Sequence, residues 1–354
     1  MKAQHIANLI QIFAYSGFAF FFAVLLYPDL IRLVQRLKMT KTIRDTSVMG
    51  DDAPIFKKYH AHKAGTPSMG GVLIVVSVLF TVLLSRVFSY FGIIDYSLLS
   101  RGETYLPLAT LVVVGVLGAV DDYFNSIEKG SHKGLSSSVK WWSLVAFALV
   151  GAAWFTFKLE WSIITVPLLG QVDIGLWYFP FFMLVVIGTS HAVNVSDGLD
   201  GLSGGTLSIA FGTFAAIAYL HGLPILATFC CIIVGALIAF LWYNVPPASI
   251  FIGDTGALSL GATLGVVAML TDSVLLLPLI GIIYVVTIFS SLTQILSKKY
   301  LKRKLWPVAP LHHLFQHWGW SETQIVMRYW IIAALSAVIG LLLFIFTFEE
   351  ALLI

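Results

Sequence analysis

The stretch LWYFPFFMLVVIGTSHAV at residues 176–193 runs directly into the polar turn NVSDGLDG at 194–201, and a second apolar run, SGGTLSIAFGTFAAIAYLH, follows at 203–221. A helix needs about 20 mainly apolar residues to cross the roughly 30 Å hydrocarbon core of a bilayer, so each run is long enough to span a membrane. A carboxylate at the centre of such a helix costs about 2.5–3.5 kcal/mol. Asp197 and Asp200 in the intervening turn therefore indicate a polar site at the ends of two spans.

The same succession of apolar runs and polar loops fills the rest of the chain. Its 354 residues are 58% hydrophobic and 11% charged, and the mean hydropathy is +0.91, which excludes an ordinary soluble domain. The runs lack the alternating pattern of barrel strands, so the sequence predicts an all-α polytopic membrane protein with a single domain over residues 1–354. About ten transmembrane helices are predicted, near 7–31, 71–94, 105–120, 139–157, 176–193, 203–221, 224–242, 256–271, 274–297 and 329–348.

The distribution of positive charge predicts the orientation of these spans. Most of the 21 lysines and arginines fall in the first, third and ninth loops, and basic residues accumulate in cytoplasmic loops. Both termini are therefore expected outside, and the odd-numbered loops in the cytoplasm. Every polar, glycine-rich cluster of the chain lies in one of these odd-numbered loops, which predicts one composite site at the cytoplasmic face.

Five aspartates stand at span ends in three of these loops: Asp121 and Asp122 in the third, Asp197 and Asp200 in the fifth, and Asp254 in the seventh. Carboxylate oxygens are hard ligands that suit Mg²⁺ or Mn²⁺. Magnesium usually takes only one or two protein carboxylates and completes its shell with water and substrate phosphates. The arrangement therefore predicts a Mg²⁺-dependent site for a phosphorylated substrate, with Mn²⁺ as the substitute ion.

Basic and glycine-rich segments beside the acids fit the same chemistry. Glycine turns let backbone N–H groups approach an anion, His312 or His313 is suited to proton transfer or phosphate contact, and four lysines are placed to neutralise phosphate charge: Lys63, Lys129, Lys133 and Lys140. Each feature also has a purely structural interpretation, as a helix end, an Asx turn, an N-cap or a solvated basic loop. Together they predict phosphoryl transfer, in which catalysis is mostly positioning and electrostatics.

At these residues the chain resembles the polyprenyl-phosphate N-acetylhexosamine-1-phosphate transferase superfamily, and within it most closely the phospho-N-acetylmuramoyl-pentapeptide transferase family. The motifs that carry the resemblance occur in family order: Gly65-Thr-Pro-Ser-Met-Gly-Gly71, Gly118-Ala-Val-Asp-Asp-Tyr123, Asn194-Val-Ser-Asp-Gly-Leu-Asp-Gly-Leu202, Phe251-Ile-Gly-Asp-Thr-Gly256 and Ala309-Pro-Leu-His-His313. The segment Gly319-Trp-Ser-Glu-Thr-Gln324 also resembles the muramoyl branch.

The resemblance implies a defined reaction in the bacterial inner (cytoplasmic) membrane. Undecaprenyl phosphate would attack the β-phosphate of UDP-N-acetylmuramoyl-pentapeptide, releasing UMP and forming lipid I, the first membrane intermediate of peptidoglycan synthesis. The implied partners are these two substrates and membrane lipids; a homodimer is compatible with the family, and nucleic acid is not expected.

The resemblance also implies roles for individual residues. Asp254 would bind the metal and Asp121 would handle the proton of the lipid phosphate. The full set of catalytic residues would be Asp121, Asp122, Asp254, His312 and His313. The substrate-binding residues would be Lys63, Lys129, Lys133, Asn194, Asp197, Gly198, Leu199, Asp200, Asn244 and Phe251.

Two positions depart from the family pattern. Asn125 stands where the family commonly has a lysine after the acidic pair, and Leu314 stands where it commonly has a third histidine. We expect Lys129 or Lys133 to supply the missing cation. Two alternatives remain open: a sibling transferase that moves N-acetylglucosamine-1-phosphate to the same lipid, and a secondary transporter, which would place its charges near the bilayer midplane.

Overall fold

The fold was obtained as a computed structural model that describes residues 2–40, 63, 65–94, 97–100, 102–127 and 134–352. Within these ranges the chain is almost entirely helical, as predicted. The helices are α1 Lys2–Arg36, α2 Gly70–Tyr90, α3 Tyr105–Ile127, α4 Ser137–Ala153, α5 Tyr178–Ser196, α6 Leu202–Leu220, α7 Pro224–Asn244, α8 Gly253–Leu270, α9 Leu277–Ile280, α10 Ile282–Leu296, α11 Leu311–His317 and α12 Glu322–Leu352. In the described residues one antiparallel β-hairpin is formed by β1 Ile163–Val166 and β2 Gly170–Asp173.

Nine helices in the described part of the chain are long and apolar enough to cross a membrane, and one bent pair raises the total to ten. The ten predicted spans each fall on one of these elements. The ninth is not the continuous helix expected over 274–297, because the segments Val274–Ile280 and Ile282–Leu301 meet at an angle of 80°. The break lies at Gly281, just after a short helix that contains Pro278 near its start, and both residue types weaken a helix interior.

Helix α8 lies at the centre of the bundle. In the most apolar stretch of this helix 83% of the residues are buried, against 22% in the corresponding stretches of α1 and α12. Helix α8 packs against α2, α3 and α5. Small residues permit this close packing, since a Cβ on Gly261 would lie 2.7 Å from the backbone oxygen of Thr189 on α5. The residues at the first turn of α8 therefore belong to the most deeply buried of the candidate spans in the described part of the chain.

Three helices extend further toward the polar end than the sequence predicted. Helix α3 continues to Ile127, so that Asp121 and Asp122 lie within it and do not open the third loop. Helix α5 includes Asn194, and α8 already begins at Gly253. Carboxylates near a helix C-terminus are unfavourable toward the helix dipole, and here they are tolerated because other helices supply their hydrogen-bond donors.

The β-hairpin is fastened to the opposite end of α8. Asp272, two residues beyond the end of that helix, accepts a hydrogen bond from the backbone N of Thr165 at 3.1 Å and another from the Thr165 hydroxyl. Burial raises the pKa of the Asp272 carboxyl above its usual value, and the two bonds from Thr165 act in the opposite direction. The hairpin thus adds a polar contact just beyond the end of α8 that lies opposite Asp254.

Candidate active site

The acids of α3 and α8 meet at one lysine of α4. Lys140 Nζ donates to Asp121 Oδ2 at 3.0 Å and to Asp254 Oδ2 at 3.1 Å. Asp254 Oδ1 accepts a hydrogen bond from Asn194 Nδ2 at 2.9 Å, and Asp121 Oδ2 accepts another from Asn125 Nδ2 at 2.7 Å. Four helices thus contribute to one partly buried polar cluster, which in the membrane-spanning bundle is tolerated because its charges are paired and hydrogen-bonded.

Asp122 holds the beginning of α8 in place. Its Oδ1 accepts from the backbone N of Asp254 at 3.0 Å, and its Oδ2 accepts from the backbone N of Thr255 at 2.9 Å and from the Thr255 hydroxyl at 2.6 Å. The first N–H groups of a helix have no partner within it, and the residue at the N-cap, Ile252, has no polar side chain. Asp122 therefore caps α8 from a neighbouring helix, and this fixes Asp254.

A glycine allows α3 to reach the first turn of α8. A Cβ on Gly118 would lie 2.4 Å from the backbone oxygen of Asp254 and 2.6 Å from Thr255 Cα. Real side chains do not approach backbone atoms so closely, so any larger residue at this position would force the two helices apart. The glycine of the Gly118–Tyr123 motif is thus part of the geometry that brings Asp121 to Asp254.

The turn between α5 and α6 is fixed by a second polar cluster. Lys63 Nζ donates to Asp200 Oδ1 at 2.6 Å and to Glu322 Oε1 at 2.5 Å, and Glu322 Oε1 also accepts from the backbone N of Asp200 at 2.6 Å. Asp200 Oδ2 accepts from the backbone N of Ala248 at 3.0 Å. We call Lys63, Asp200 and Glu322 the ion cluster; it joins three segments that are far apart in sequence.

The other predicted residues of this turn have structural contacts of their own. Asp197 Oδ1 accepts from the hydroxyl of Ser203 at 2.7 Å, in the first turn of α6. Asn244 bridges two loops, since its Oδ1 accepts from the backbone N of Gly201 at 2.9 Å and its Nδ2 donates to the Ile250 carbonyl at 2.8 Å. These bonds set the shape of the turn and its distance from the loop before α8.

The histidine motif lies against the same turn. His312 and His313 are on α11 and buried, with ring centroids 4.3 Å apart. A Cβ on Gly198 would lie 2.2 Å from His312 Nε2, so the glycine is required for the ring to reach the turn. His313 Nδ1 is hydrogen-bonded to Gln316 at 2.8 Å. Leu314, the departure from the family pattern, is buried as an apolar residue.

The glycine-rich segment before α2 pairs with the loop before α8. The backbone N of Gly70 donates to the Phe251 carbonyl at 2.7 Å, and that of Gly71 donates to the Ile252 carbonyl at 2.8 Å. The backbone N of Phe251 donates in turn to the Pro67 carbonyl at 2.8 Å. Contacts of this kind connect all five motifs of the sequence into one region at the ends of the helices.

Comparison with known proteins places this arrangement in a family. A family model described as Glycosyl transferase family 4 matches residues 104–272, and the phospho-N-acetylmuramoyl-pentapeptide-transferase signature 1 matches residues 63–75. A phospho-N-acetylmuramoyl-pentapeptide-transferase of Chloroflexus aurantiacus is 35% identical over 355 residues, covering 96% of this chain and 91% of the relative. The chain belongs to the phospho-N-acetylmuramoyl-pentapeptide-transferase family.

Other members show the same relationship. The protein of that name from Anoxybacillus flavithermus is 34% identical over 327 residues, with 92% of this chain and 95% of the relative covered. The one from Methylacidiphilum infernorum is 37% identical over 344 residues, covering 90% and 88%. The similarity extends over nearly the whole chain in each case, and it agrees with the resemblance of the motifs.

Two residues of this transferase-family site were absent from the predicted set. The sequence indicates Lys140 only as one of four lysines near the acids, and Lys129 and Lys133, the expected replacements for the lysine missing at Asn125, lie outside the described residues. Glu322 stands in the Gly319–Gln324 segment, whose resemblance to the muramoyl branch was the available signal. A glutamate in the first turn of a helix is so common that the residue alone gave no further indication.

The donor set of the site fits a hard divalent cation that binds together with a phosphorylated substrate. Asp121 Oδ2 and Asp254 Oδ2 face the same cationic nitrogen, so two carboxylate oxygens converge on one small volume. Among the described residues no group of three or more His, Cys, Asp or Glu side chains is placed to hold a metal ion by itself. A pair of carboxylates is what Mg²⁺ needs when substrate phosphates complete its shell.

Proposed function

We propose that this chain transfers phospho-N-acetylmuramoyl-pentapeptide from its UDP derivative to undecaprenyl phosphate, with release of UMP and formation of lipid I. An oxygen of the lipid phosphate attacks the sugar-linked β-phosphate, and the bond from that phosphorus to the oxygen of the leaving UMP breaks. The observation that carries the proposal is the convergence of Asp121 and Asp254 on Lys140. A pair of acids and a cation at one point suits a reaction between two anionic phosphates, and family membership supplies the substrates.

Within this proposal, each member of the cluster has a role that follows from its contacts. Lys140, which contacts both Asp121 and Asp254, neutralises charge on the reacting phosphates. Asp121 accepts the proton of the lipid phosphate when that phosphate is monoprotonated, so that the attacking oxygen is fully anionic. Asp122 maintains the first turn of α8 and with it the position of Asp254.

Magnesium, or manganese in its place, would be held by Asp254 with Asp121 as its neighbour. When bound, the ion supplies charge neutralisation at the pyrophosphate of the nucleotide substrate. The chain's own contribution is to hold the two carboxylates on adjacent helices and to orient Asp254 through Asn194.

The remaining predicted residues form the nucleotide end of the site in this proposal. Lys63 contacts the nucleotide, Phe251 stacks on the uracil, and the Asp197–Asp200 turn lies beside the nucleoside. His312 and His313 contact phosphate or assist proton transfer from the side of α11. The substrate-binding roles of Lys129 and Lys133 remain predictions about residues outside the described ranges.

We further infer that the protein lies in the bacterial inner membrane with its site at the cytoplasmic face. The accumulation of lysine and arginine in the odd-numbered loops supports this orientation, and it would let a water-soluble nucleotide sugar meet a lipid head group. A homodimer is inferred from the family alone.

The experiment that tests the function compares two nucleotide sugars. Detergent-purified protein is supplied with undecaprenyl phosphate, Mg²⁺ and either UDP-N-acetylmuramoyl-pentapeptide or UDP-N-acetylglucosamine, and UMP release is measured. We expect release with the muramoyl substrate alone. Release with the glucosamine substrate alone would assign the protein to the sibling reaction, and folded protein that releases UMP from neither substrate would refute both assignments.

A further inference from the structure

The Gly319–Gln324 segment contains an acid that the proposed reaction does not use. Glu322 is the first residue of α12, yet that helix end is already capped by its neighbours. The backbone N of Gln324 donates to Ser321 Oγ at 3.2 Å, and Gln324 Oε1 accepts from the backbone N of Ser321 at 3.1 Å. This reciprocal pair is a capping box, so the carboxylate of Glu322 is not required to begin the helix.

The Glu322 side chain is directed instead at the ion cluster. One oxygen, Oε1, accepts both from Lys63 Nζ at 2.5 Å and from the backbone N of Asp200 at 2.6 Å. The side chains of Lys63, Asp200 and Glu322 are 9%, 5% and 16% exposed, so solvent screens these contacts little. Hydrogen bonds between ionised groups are short and strong, and here they fix a lysine and a turn relative to each other.

The first turns of α12 contact the same turn at other points. Trp330 Nε1 donates to the Gly201 carbonyl at 3.1 Å, and Leu199 belongs to a small apolar cluster that includes Ile325 and Val326. Asp200 is held on every side: its Oδ1 by Lys63, its Oδ2 by the backbone N of Ala248, and its own N–H by Glu322. Among these contacts, Glu322 is the group that touches both Lys63 and the turn.

We propose that Glu322 is a positioning residue for the nucleotide end of the active site. It acts through Lys63 and Asp200, so this inference rests on the proposed function, in which those residues contact the nucleotide. Loss of its carboxylate leaves Lys63 paired with Asp200 alone and removes the acceptor of the Asp200 N–H, and this loosening of the lysine and the turn weakens nucleotide binding. The chemistry at Asp254 and Lys140 is built on other helices and is left intact.

The test uses UMP as the probe, because its binding requires neither the lipid nor turnover. We expect E322A to raise the Kd for UMP, and the KM for the nucleotide sugar, at least tenfold. The kcat at saturation should change less than threefold, and the KM for undecaprenyl phosphate should stay constant. E322Q keeps an acceptor for the Asp200 N–H but not the charge, so it should lie between E322A and the wild type and serves where E322A folds poorly.

Two controls separate positioning from a general effect on α12. S321A removes the hydroxyl of the capping box, so it loosens the helix end without touching the ion cluster, and it should retain a UMP Kd within threefold of the wild type. In a K63M background E322A should raise the UMP Kd by a smaller factor than in the wild type, because only its contact with the Asp200 N–H remains to be lost. A tenfold rise of the UMP Kd in S321A would overturn the inference. So would a K63M/E322A protein whose rise in Kd equals the product of the two single-variant effects.

The outcome also distinguishes this inference from the proposed function. Wild-type protein that releases UMP while E322A and E322Q both bind UMP as tightly as the wild type would refute the positioning role alone. A fall in kcat of E322A at unchanged KM would refute it as well. Wild-type protein that neither binds UMP nor releases it would refute the proposed function.

Discussion

At the scale of single residues, the charge on Asp254 is the property that an isosteric change can isolate. Asparagine retains the shape of the side chain and an oxygen near Asn194 Nδ2, but it cannot serve as an anionic ligand or pair with Lys140. We expect D254N to lower UMP release at least about a thousandfold, because the metal loses its anionic ligand and Lys140 loses one of its two carboxylate partners. The measurement is UMP release, with the apparent unfolding temperature in detergent to verify the fold.

The matched control for D254N is D29N. Asp29 is an exposed carboxylate that pairs with Arg32 one helical turn away, and exposed pairs of this kind contribute little. D29N should therefore retain wild-type turnover. Equal turnover in D254N and the wild type would remove Asp254 from the metal-binding role.

The identity of the cation beside the acids shows what the sequence could not predict. Asn125 stands where the family commonly has a lysine, which indicates that another residue supplies the positive charge. The position of Lys140 beside Asp121 and Asp254 is consistent with that expectation. Three candidates lay within one loop region, and the choice between them depends on where α4 begins and which of its faces meets α3. That information resides in packing between helices, which hydropathy and spacing do not record.

At the scale of elements, the approach of α3 to α8 determines the site. G118A would place a methyl group 2.4 Å from the backbone oxygen of Asp254, and backbone cannot rotate away as a side chain can. We expect a loss of about 1–3 kcal/mol in stability, as in other overpacked cores, and at least a tenfold fall in UMP release because Asp122 and Asp254 separate. Unfolding temperature and turnover are measured on the same preparation.

Gly212 on α6 provides the control for that substitution. A Cβ there has no heavy atom within 4 Å, so G212A introduces alanine into a helix without a clash. It should be neutral or stabilising by up to about 1 kcal/mol, since alanine is the better helix former. A G118A protein that matches G212A in both stability and turnover would contradict the helix contact.

The sequence predicted which segments are helices far better than where they end. Long apolar runs identify membrane spans because a helix needs about 20 apolar residues to cross the hydrocarbon core of a bilayer. The end of α3 lies beyond Asp122, however, where that acid finds its donors on α8, and Asp122 in turn caps the first turn of α8. Helix ends that depend on a partner helix cannot be read from local sequence. The bend at Gly281 was not predicted because the apolar run continues through it, although Pro278 and Gly281 are local residues that weaken a helix interior.

At the scale of the whole molecule, the site is assembled from helices that are distant in sequence, and in the proposed reaction the substrate phosphates complete its metal site. Two carboxylates converge on one point, and no group of three or more His, Cys, Asp or Glu side chains in the described ranges could hold an ion alone. Two carboxylates without substrate phosphates bind Mg²⁺ weakly, because this ion gives up its water reluctantly. The metal and the nucleotide sugar should therefore bind cooperatively.

This cooperativity gives a measurable result for the intact protein. A ligand that binds only the folded state stabilises it by mass action. We therefore expect Mg²⁺ alone to leave the apparent unfolding temperature nearly unchanged. Mg²⁺ together with UDP-N-acetylmuramoyl-pentapeptide should raise that temperature more than the nucleotide sugar does by itself. Chelation with EDTA should stop UMP release, and excess Mg²⁺ should restore it. D254N should lose the added stabilisation by Mg²⁺. Turnover that persists in chelator would exclude a divalent metal from the reaction, and equal stabilisation by Mg²⁺ with and without nucleotide would mean that the protein holds the ion without substrate phosphates.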